Sequence, residues 1–553
     1  MIVIFLTQAL WAAALLGYGT GIGNALRLKL EDDDSLLCRG LLGFASVAML
    51  AVSLNFITGL GGYVSLSILA IGLVLFLYSK AFRMATPGDA AVATMLLFYV
   101  AMRTCRITNN YDTGLYHLQT VKWAAEAPLP FGLANLNWRF GFNSSWHPLA
   151  ALMEVPWVSG QSSYILNGVL MFIFGAAGLR ALKNVLYRRP SRASDFFLTL
   201  CLYPWARLLA SGNVSSLSPD VAITVLVLST VFIILRCGET VVEARRERWI
   251  VLAITSVFAV TVKFAALPLL IAPLIGWLLR MRQPRDTTRE GSALAVAFPT
   301  AIFATWAVRG VCLTGGLLFP VVQTHFTGLP WALPAEVLSY VRGLIHDWAR
   351  LPGGEPKEWL QNGQWLRPWA ERTLLTEDVL AAAACLILGA GLFAVFRKRS
   401  GTSLASGMSL AVGVAAIGVF FWFLTAPDLR FGLGFIFALG LVVLAFGLEK
   451  ASHNRAIRAG VCATVLGLVV LRGGLRTTLP QASLVNWPSQ QSIECEQRRL
   501  NNGEIVNVPK YGDQCWNSPL PCAPSTVLNP DLRIQRDESG KIRLIWIGAA
   551  SQQ

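Results

Sequence analysis

Long apolar runs that alternate with short basic segments constrain the fold of this chain more than any other feature. Hydrophobic residues make up 54% of the sequence and charged residues only 14%, whereas about a quarter of the residues in a soluble domain are charged. The first run, Ile2–Gly23, is long enough for a helix to cross the ~30 Å hydrocarbon core of a bilayer. The sequence therefore predicts an all-α polytopic membrane protein.

The distribution of the basic residues decides what the formal net charge of +15 means. Lys and Arg cluster in short segments between apolar runs, which is the positive-inside pattern of a bacterial inner membrane protein. This pattern favours membrane lipids over nucleic acid as partners, so we predict no nucleic-acid binding. The sequence gives no indication of protein partners.

Hydropathy and charge bias together predict about 14 transmembrane helices. Under this count every strongly basic segment is cytoplasmic, and both termini lie in the periplasm. Asp112 and Cys515 are expected on the periplasmic side, and Arg188 and Lys398 on the cytoplasmic side. The predicted parts of the chain are three extra N-terminal helices (1–89), a seven-helix core (90–312) with a first large outer loop (105–163), a second large outer loop (313–375), four C-terminal helices (376–471) and a small extracytoplasmic tail (472–553).

The predicted tail is polar and holds three of the ten cysteines. Because exported segments form disulfides, we predict that at least two of Cys495, Cys515 and Cys522 are bonded, most simply Cys515 to Cys522. Cys105 lies near the same predicted face and is an alternative partner. The spacing lacks a CxxC pair, which disfavours a zinc site. The segment IRLIWIG predicts a strand in the tail.

The segment Asn109–Pro148 is polar, aromatic and charged, although predicted spans lie on both sides of it. A polar segment of this length between spans needs water or a substrate to face, and such loops tend to carry function. Within it, Thr113–Ala125 predicts an amphipathic helix that lies on the membrane surface at the mouth of a cavity. The ionisable and polar residues of the whole segment Asn109–Pro148 that we consider are Asp112, Tyr116, His117, Lys122, Glu126, Arg139, Asn143 and His147.

Ionisable residues in or beside predicted spans are costly, so each requires a physical reason. Asp112 fits a general base, but it equally fits an N-cap of the helix that follows. Lys263 fits an anion ligand or a buried ion pair with Asp220. Arg309 and Arg430 either meet an anion or simply extend their charged ends towards the interface.

Three motifs carry a resemblance. The sequence resembles the GT-C superfamily, membrane glycosyltransferases that use polyprenyl-phosphate-linked sugars. Asp112 in NNYDTGLYHL occupies the place of the acidic residue that this family carries in its first outer loop, just after a transmembrane helix. A second large outer loop follows the seventh core helix in the family, and here Ala293–Cys312 precedes the long loop. APDLRFGLG resembles the Pro-Arg-Phe turn found late in several members.

The chain also departs from the GT-C pattern. Its acidic signal is a lone Asp where many members have a pair, three extra helices precede the core, and a WWD-type motif is missing. The motifs YDTGLYHLQTVKW and FGFNSSWHP look like a family of uncharacterised bacterial membrane proteins with this layout, which covers most of the chain. The substrate therefore stays open, because fold alone does not set function.

The resemblance implies transfer of a sugar from a polyprenyl-phosphate-linked donor to a glycan, lipid or protein acceptor at the outer face of the membrane. Asp112 would be the general base, or would bind the acceptor or a divalent metal, and no set of residues is predicted to hold a resident metal. The donor phosphate would meet Lys263, Arg309 and Arg430. Candidate contacts to the sugar or acceptor are Tyr116, His117, Arg139, Asn143, His147 and His325.

Two other classes of function stay open. An O-antigen or exopolysaccharide polymerase or ligase would depend on Arg342, His346, Arg350 and Arg367 of the second outer loop more than on Asp112. A non-enzymatic transporter of lipid-linked glycans would show an inverted repeat with helices broken at matching positions. The sequence shows no such pairing.

Overall fold

The structure, a computed structural model, is mostly helical and ends in two small antiparallel sheets. It describes residues 1–30, 32–79, 86–158, 160–188, 191–239, 242–281, 290–353, 360–396, 406–452, 454–473 and 491–548. The prediction of a mostly helical chain is confirmed.

The helices follow one another through short connections over most of the chain. In chain order they are α1 (Ile2–Ala25), α2 (Asp32–Asn55), α3 (Tyr63–Ser79), α4 (Pro87–Thr104), α5 (Leu118–Glu126), α6 (Trp146–Leu152), α7 (Leu166–Tyr187), α8 (Ala193–Leu200), α9 (Leu202–Ala210), α10 (Pro219–Glu239), α11 (Val242–Val262), α12 (Ile271–Met281), α13 (Glu290–Thr314), α14 (Ala335–Arg350), α15 (Leu366–Thr373), α16 (Glu377–Phe396), α17 (Ser406–Thr425), α18 (Leu429–Ala451) and α19 (Arg455–Gly473). The strands are β1 (Cys495–Arg499), β2 (Ile505–Pro509), β3 (Leu532–Arg536) and β4 (Ile542–Ile547).

Eight helices within the described residues are long and apolar enough to cross a membrane, namely α1, α2, α7, α10, α13, α16, α17 and α18. Two shorter apolar segments, Tyr63–Ser79 and Phe264–Leu278, accompany them. The chain is therefore a helical, multi-pass type of membrane protein. The finer count of fourteen spans stays a prediction.

Two apolar runs are interrupted in the structure. The apolar run Phe196–Ala210 is divided between α8 and α9, because Pro204 has no N–H to donate to the carbonyl four residues earlier. The second interruption lies at Lys263. There α11 ends at Val262, and a 3-10 helix, Phe264–Leu270, leads into α12.

The helices pack closely where glycines remove the side chain from the interface. At the α16–α18 contact, a Cβ added to Gly440 would lie 2.3 Å from the carbonyl oxygen of Ala382. A Cβ added to Gly389 would lie 2.4 Å from the backbone nitrogen of Leu444. Small residues at membrane helix interfaces allow this approach of the two backbones.

The C-terminal tail folds against the segment between α4 and α7. Strands β1 and β2 form one hairpin and β3 and β4 form the other, so the strand predicted at IRLIWIG is confirmed by β4. Phe131 of this segment donates its N–H to the Arg543 carbonyl at 2.9 Å and accepts from the Ile545 N–H at 2.8 Å. Buried side chains of both parts share one cluster, which includes Trp123, Leu136, Phe140, Val506, Leu532 and Ile545.

The predicted disulfide is present between Cys515 and Cys522. Cys495 stays a free thiol, with its Sγ 3.1 Å from the hydroxyl of Ser518. Cys105 is free and buried, so it is not the alternative partner. The tail is thus closed by one short covalent loop, as expected for an exported segment.

The helix that follows Asp112, α5, is largely covered by the rest of the fold. Its residues Leu118, Gln119, Val121 and Trp123 are buried, whereas Glu126 at its end is exposed. Leu118 and Val121 pack in the core of the helix bundle, Trp123 shares a cluster with the tail, and Gln119 donates to a tail carbonyl. Its position on a membrane surface stays a prediction.

Candidate functional site

A π-helix, Thr113–His117, begins directly after Asp112 and runs into α5. The Asp112 side chain makes no capping hydrogen bond. Asn110 caps the turn instead, because its Oδ1 accepts from the Thr113 N–H and from the Thr113 hydroxyl, each at 2.9 Å. The N-cap interpretation of Asp112 is therefore wrong, and its carboxylate is available for other contacts. Single π-turns of this kind occur often at functional sites.

Arg430 brings three carboxylates together. Its Nη1 lies 2.8 Å from Asp112 Oδ2 and 4.0 Å from Asp220 Oδ2. Its Nε lies 3.6 Å from Asp428 Oδ2. Of the two interpretations of Arg430, the one in which it simply extends to the interface is wrong, since Arg430 lies at the centre of an ion-pair network.

Lys263 completes this network, which we call the Asp112 cluster (Asp112, Asp220, Lys263, Asp428 and Arg430). The Lys263 ammonium contacts the Asp220 carboxylate directly, as the ion-pair interpretation predicted. It also lies 3.8 Å from the centre of the Phe431 ring, a cation–π geometry. The same ring lies 4.8 Å from the Arg430 guanidinium carbon.

Helix ends position all five side chains. Asp220 lies in the first turn of α10, and Lys263 follows the last residue of α11 in an extended conformation. Asp428 is the N-cap of α18, where its Oδ1 accepts from the Arg430 N–H at 3.1 Å. The Asp428 carboxylate thus caps α18.

The Asp112 cluster is partly open to solvent. Its side chains are between 13% and 37% exposed, with Asp220 the most covered and Arg430 the most open. The three carboxylates outnumber the two cations, so charge pairing within the cluster is incomplete. Ionic groups in a membrane protein that stay reachable in this way mark candidate binding sites.

Two histidines lie buried beside the cluster, each only 1% exposed. The rings of His117 and His147 lie 4.9 Å apart, and Tyr116 lies edge-on to both, at 4.3 Å from His117 and 6.4 Å from His147. Phe142 closes another side, 5.8 Å from Tyr116. Among the described residues, neither nitrogen of His147 nor Nδ1 of His117 has a hydrogen-bond partner.

Burial keeps both histidines neutral. It lowers the pKa of His117 to about 3, and the charges of Asp220, Lys263 and Arg430 are close enough to act on the same ring. Burial also holds the pKa of His147 well below its ordinary value, with smaller contributions from His117 and Arg309. A neutral imidazole both donates and accepts hydrogen bonds, which suits the hydroxyl groups of a ligand.

Arg309 and Asn143 form a separate, buried contact. Arg309 is 2% exposed and donates from Nη1 to Asn143 Oδ1 at 2.7 Å, so it does not extend to the interface as one interpretation predicted. Asn143 is also clamped to Trp306, which donates from Nε1 to the Asn143 carbonyl at 2.5 Å and accepts from Asn143 Nδ2 at 2.6 Å. These bonds occupy the polar atoms that were expected to meet a sugar.

Arg139 and His325 complete the set of predicted site residues. The Arg139 guanidinium carbon lies 4.4 Å from the centre of the Trp138 ring, and its Nη1 is buried without a partner in the described part of the chain. Burial lowers the pKa of Arg139. His325 bonds the Leu333 carbonyl at 3.0 Å within its own loop, and within the described part of the chain it makes no hydrogen bond to the Asp112 cluster.

The residues of the second outer loop are largely engaged in structural contacts. Arg350 donates to the carbonyls of His346, Leu424 and Thr425 at 2.8–3.3 Å. Arg367 pairs with Glu371 along an exposed helix face at 2.9 Å.

Three residues have roles at this site that the sequence did not predict in full. Asp220 was expected only as an ion-pair partner of Lys263, Phe431 was not a predicted site residue, and Asn110 was not predicted as the cap. The available signal was the position of Asp220 in the first turn of a strongly apolar helix. No group of three or more His, Cys, Asp or Glu side chains that could hold a metal occurs among the residues that the structure describes.

Fold and site together define a helical membrane protein with a polar, ionic centre where several helices end. A sequence family described as "Domain of unknown function (DUF8201)" matches residues 1–437, and the chain belongs to this family. The matched region contains the whole Asp112 cluster, whereas the tail lies beyond it. No curated protein matches the chain.

Proposed function

We propose that the chain is an integral membrane glycosyltransferase of the GT-C type, which moves a sugar from a polyprenyl-phosphate-linked donor to a glycan, lipid or protein acceptor. The observation that carries this proposal is the position of Asp112. Its carboxylate is not used for capping and lies 2.8 Å from Arg430, beside Lys263 and two buried, neutral histidines. A base, phosphate-binding cations and hydroxyl-binding groups are the parts that glycosyl transfer requires.

In the proposed reaction, the acceptor hydroxyl oxygen attacks the anomeric carbon while the bond from that carbon to the donor phosphate breaks. The hydroxyl proton passes to the Asp112 carboxylate, and the polyprenyl phosphate leaves as an anion. Arg430 and Lys263 oppose the negative charge that builds on the leaving oxygen. The attacking oxygen and the leaving phosphate lie on opposite sides of the sugar, which inverts the anomeric centre.

Arg430 links donor binding to the base. It holds Asp112 at 2.8 Å, and its Nε is buried without a hydrogen-bond partner within the described residues. A donor phosphate competes with Asp112 for the guanidinium, because two oxygens of phosphate match its paired N–H groups. Donor arrival thus frees a carboxylate oxygen of Asp112 for the acceptor hydroxyl.

The histidine pair supplies contacts to sugar hydroxyls. A buried polar group without a partner costs about 1–3 kcal/mol, and His117 and His147 together present three such nitrogens. Sugar hydroxyls bind both as donors and as acceptors, so they satisfy nitrogens of either kind. Tyr116 and Phe142 add an aromatic surface against which a sugar ring packs.

The proposal includes the finer topology. The proposed topology has fourteen spans, with the two large loops and the tail on the periplasmic side of a bacterial inner membrane. In this topology the Asp112 cluster lies at the outer face. A polymerase or ligase that relies on the second outer loop is less well supported, because Arg350 and Arg367 are engaged with neighbouring carbonyls and Glu371. A divalent metal stays open as a cofactor, and the polyprenyl-phosphate sugar is the proposed donor.

The experiment is complementation of a deletion strain by Asp112→Asn, with the surface glycan as readout. Asparagine keeps the size of the side chain but cannot take the proton, and loss of general-base help costs about 10²–10⁴-fold in rate. We therefore expect loss of the glycan at a normal protein level. The matched control is Asn110→Ala, which removes the cap but keeps the carboxylate, and which should retain the glycan. Full complementation by Asp112→Asn would contradict the proposal.

A further inference from the structure

A polar cavity with a volume of about 440 Å³ lies where α4, α9, α16 and α19 end or begin. This volume is within the usual range for small-molecule sites, about 300–1,000 Å³. Four arginines line it, namely Arg103, Arg106, Arg207 and Arg472. We call it the arginine pocket. It shares no lining residue with the Asp112 cluster.

Arg103 is the least usual of these residues because it is only 2% exposed. Its Nε donates to the Leu209 carbonyl at 3.0 Å, which fixes the orientation of the guanidinium. Its Nη1 is buried and has no hydrogen-bond partner among the described residues. A fixed, buried cation with an unused donor is a strong reason to expect an anionic ligand.

The other charges of the pocket leave a surplus of positive charge. Arg472 pairs with Glu377 at 2.6 Å, and Arg207 Nε lies 3.3 Å from Asp378 Oδ1. The lining itself contains four arginines and one carboxylate, so its formal charge is positive. This charge favours an anion, and a phosphate monoester has both the negative charge and the geometry for arginine.

The pocket lies at the boundary of the apolar part of the bundle. Leu471 lines it and is 58% exposed, next to Val470 at 61%. Leu380, one turn after Glu377 on α16, is 53% exposed. Such exposed apolar residues on membrane helices face lipid chains, which places the four arginines at the depth of lipid headgroups.

We infer that the arginine pocket binds the phosphate headgroup of an anionic membrane lipid, whose chains lie along the exposed apolar faces of α16 and α19. Basic pockets between membrane helices recognise lipid headgroups by this combination of charge and depth. The site is separate from the proposed donor site and does not depend on the proposed glycosyl transfer.

The test is lipid binding to the purified full chain in detergent, measured by native mass spectrometry. The probes are phosphatidic acid, which carries a phosphate monoester, phosphatidylcholine, which has no net charge, and inorganic phosphate. We expect phosphatidic acid to bind at least about tenfold more tightly than phosphatidylcholine. Replacing one arginine that meets the phosphate should weaken this binding about tenfold.

Two arginine variants, one at a buried position and one at a partly exposed position, separate a loss of lipid binding from a loss of folding. Arg103→Lys keeps the buried charge but loses the planar group, and Arg472→Gln alters a side chain that is 32% exposed. The matched control is Arg367→Gln, which removes an equal charge from an exposed helix pair. Equal weakening by the control, or no weakening by either variant, would overturn the inference. Equally tight binding of inorganic phosphate would overturn the lipid assignment.

Discussion

The Asp112 carboxylate makes no capping bond, because its neighbour Asn110 caps the turn. The carboxylate is instead held by Arg430, whose guanidinium also approaches Asp220 and Asp428. A group of charges that is only partly exposed costs free energy unless each charge is paired. The pairing therefore both stabilises the site and keeps its charged groups in place for a ligand.

The two buried histidines predict a pH dependence of stability. In the unfolded chain, both histidines take up protons below about pH 6.5. In the folded protein the pKa of His117 lies at about 3, and that of His147 lies well below its ordinary value. The unfolded state thus binds more protons as the pH falls, so the stability that the neutral rings contribute is present above about pH 6.5 and is lost below it. The expected slope is about 1.4 kcal/mol per pH unit for each histidine.

The measurement is the melting temperature in detergent between pH 7.5 and pH 5. The wild type should melt at a lower temperature at the acidic end, and the double variant His117→Gln, His147→Gln should lose most of this change. The exposed His346 is the control, because His346→Gln leaves both buried rings intact. An unchanged slope in the double variant would contradict the assignment of the pH effect to these rings.

At the scale of single residues, the sequence predicted the site in part. Asp112 was predictable because a carboxylate that follows an apolar run within a polar loop is unusual. Lys263 and Asp220 were predictable as a pair, since each is an ionisable group beside a span. The contact between Asp112 and Arg430 joins residues 318 positions apart, and no local pattern encodes such a distant contact.

At the scale of elements, the docking of the tail on the π-helix stands out. The Trp516 ring packs on Gly114, and the backbone N–H of Trp516 donates to the Gly114 carbonyl at 2.9 Å. Gln119 and Lys122 donate to backbone carbonyls of the same tail segment at 2.8–3.1 Å. The tail therefore helps to hold the segment that carries Asp112.

We predict that Gly114→Ala loosens the tail. An added Cβ would lie 2.3 Å from the Trp516 ring, so the ring must move, and overpacking of this kind costs about 1–3 kcal/mol. Amide hydrogen exchange of residues 491–548 should become faster. Gly343→Ala on α14 is the control, because a Cβ there meets nothing within 4 Å. Equal exchange in Gly114→Ala and the wild type would show that the tail does not depend on this contact.

Element prediction succeeded where apolar length decides the structure. The run Ile2–Gly23 became α1 within two residues, because its length and composition favour a helix over any other structure. The tail was harder to predict. Strand β1 has the sequence CEQRR and lacks the alternation that marks a strand, so its pairing with β2 depends on the tertiary fold.

At the scale of the whole molecule, polar contacts occur at opposite ends of the helices. The Asp112 cluster lies near the start of α18, whereas Arg458, near the start of α19, donates to the Arg188 carbonyl at 2.9 Å. Since α18 connects these two regions and is long enough to cross a membrane, they are expected on opposite faces. Lys398, which was expected on the same face as Arg188, lies outside the described residues.

This arrangement predicts how each end reacts with an impermeant maleimide in intact cells. The eight free cysteines are replaced and the Cys515–Cys522 disulfide is kept, because a bonded pair does not react. A single cysteine at the exposed Glu126 should be labelled from outside, and one at the exposed Lys183 should be labelled only after lysis. Labelling of position 183 in intact cells would reverse the proposed topology.

The most direct test of the central claim measures the lipid-linked sugars of cells that carry Asp112→Asn in place of the wild-type chain. If Asp112 is the base in sugar transfer, donor is made but not consumed. Mass spectrometry of lipid extracts should then show a polyprenyl-phosphate-linked sugar that accumulates in the variant as it does in the deletion strain. A lipid profile identical to that of the wild type, at equal protein level, would contradict the account.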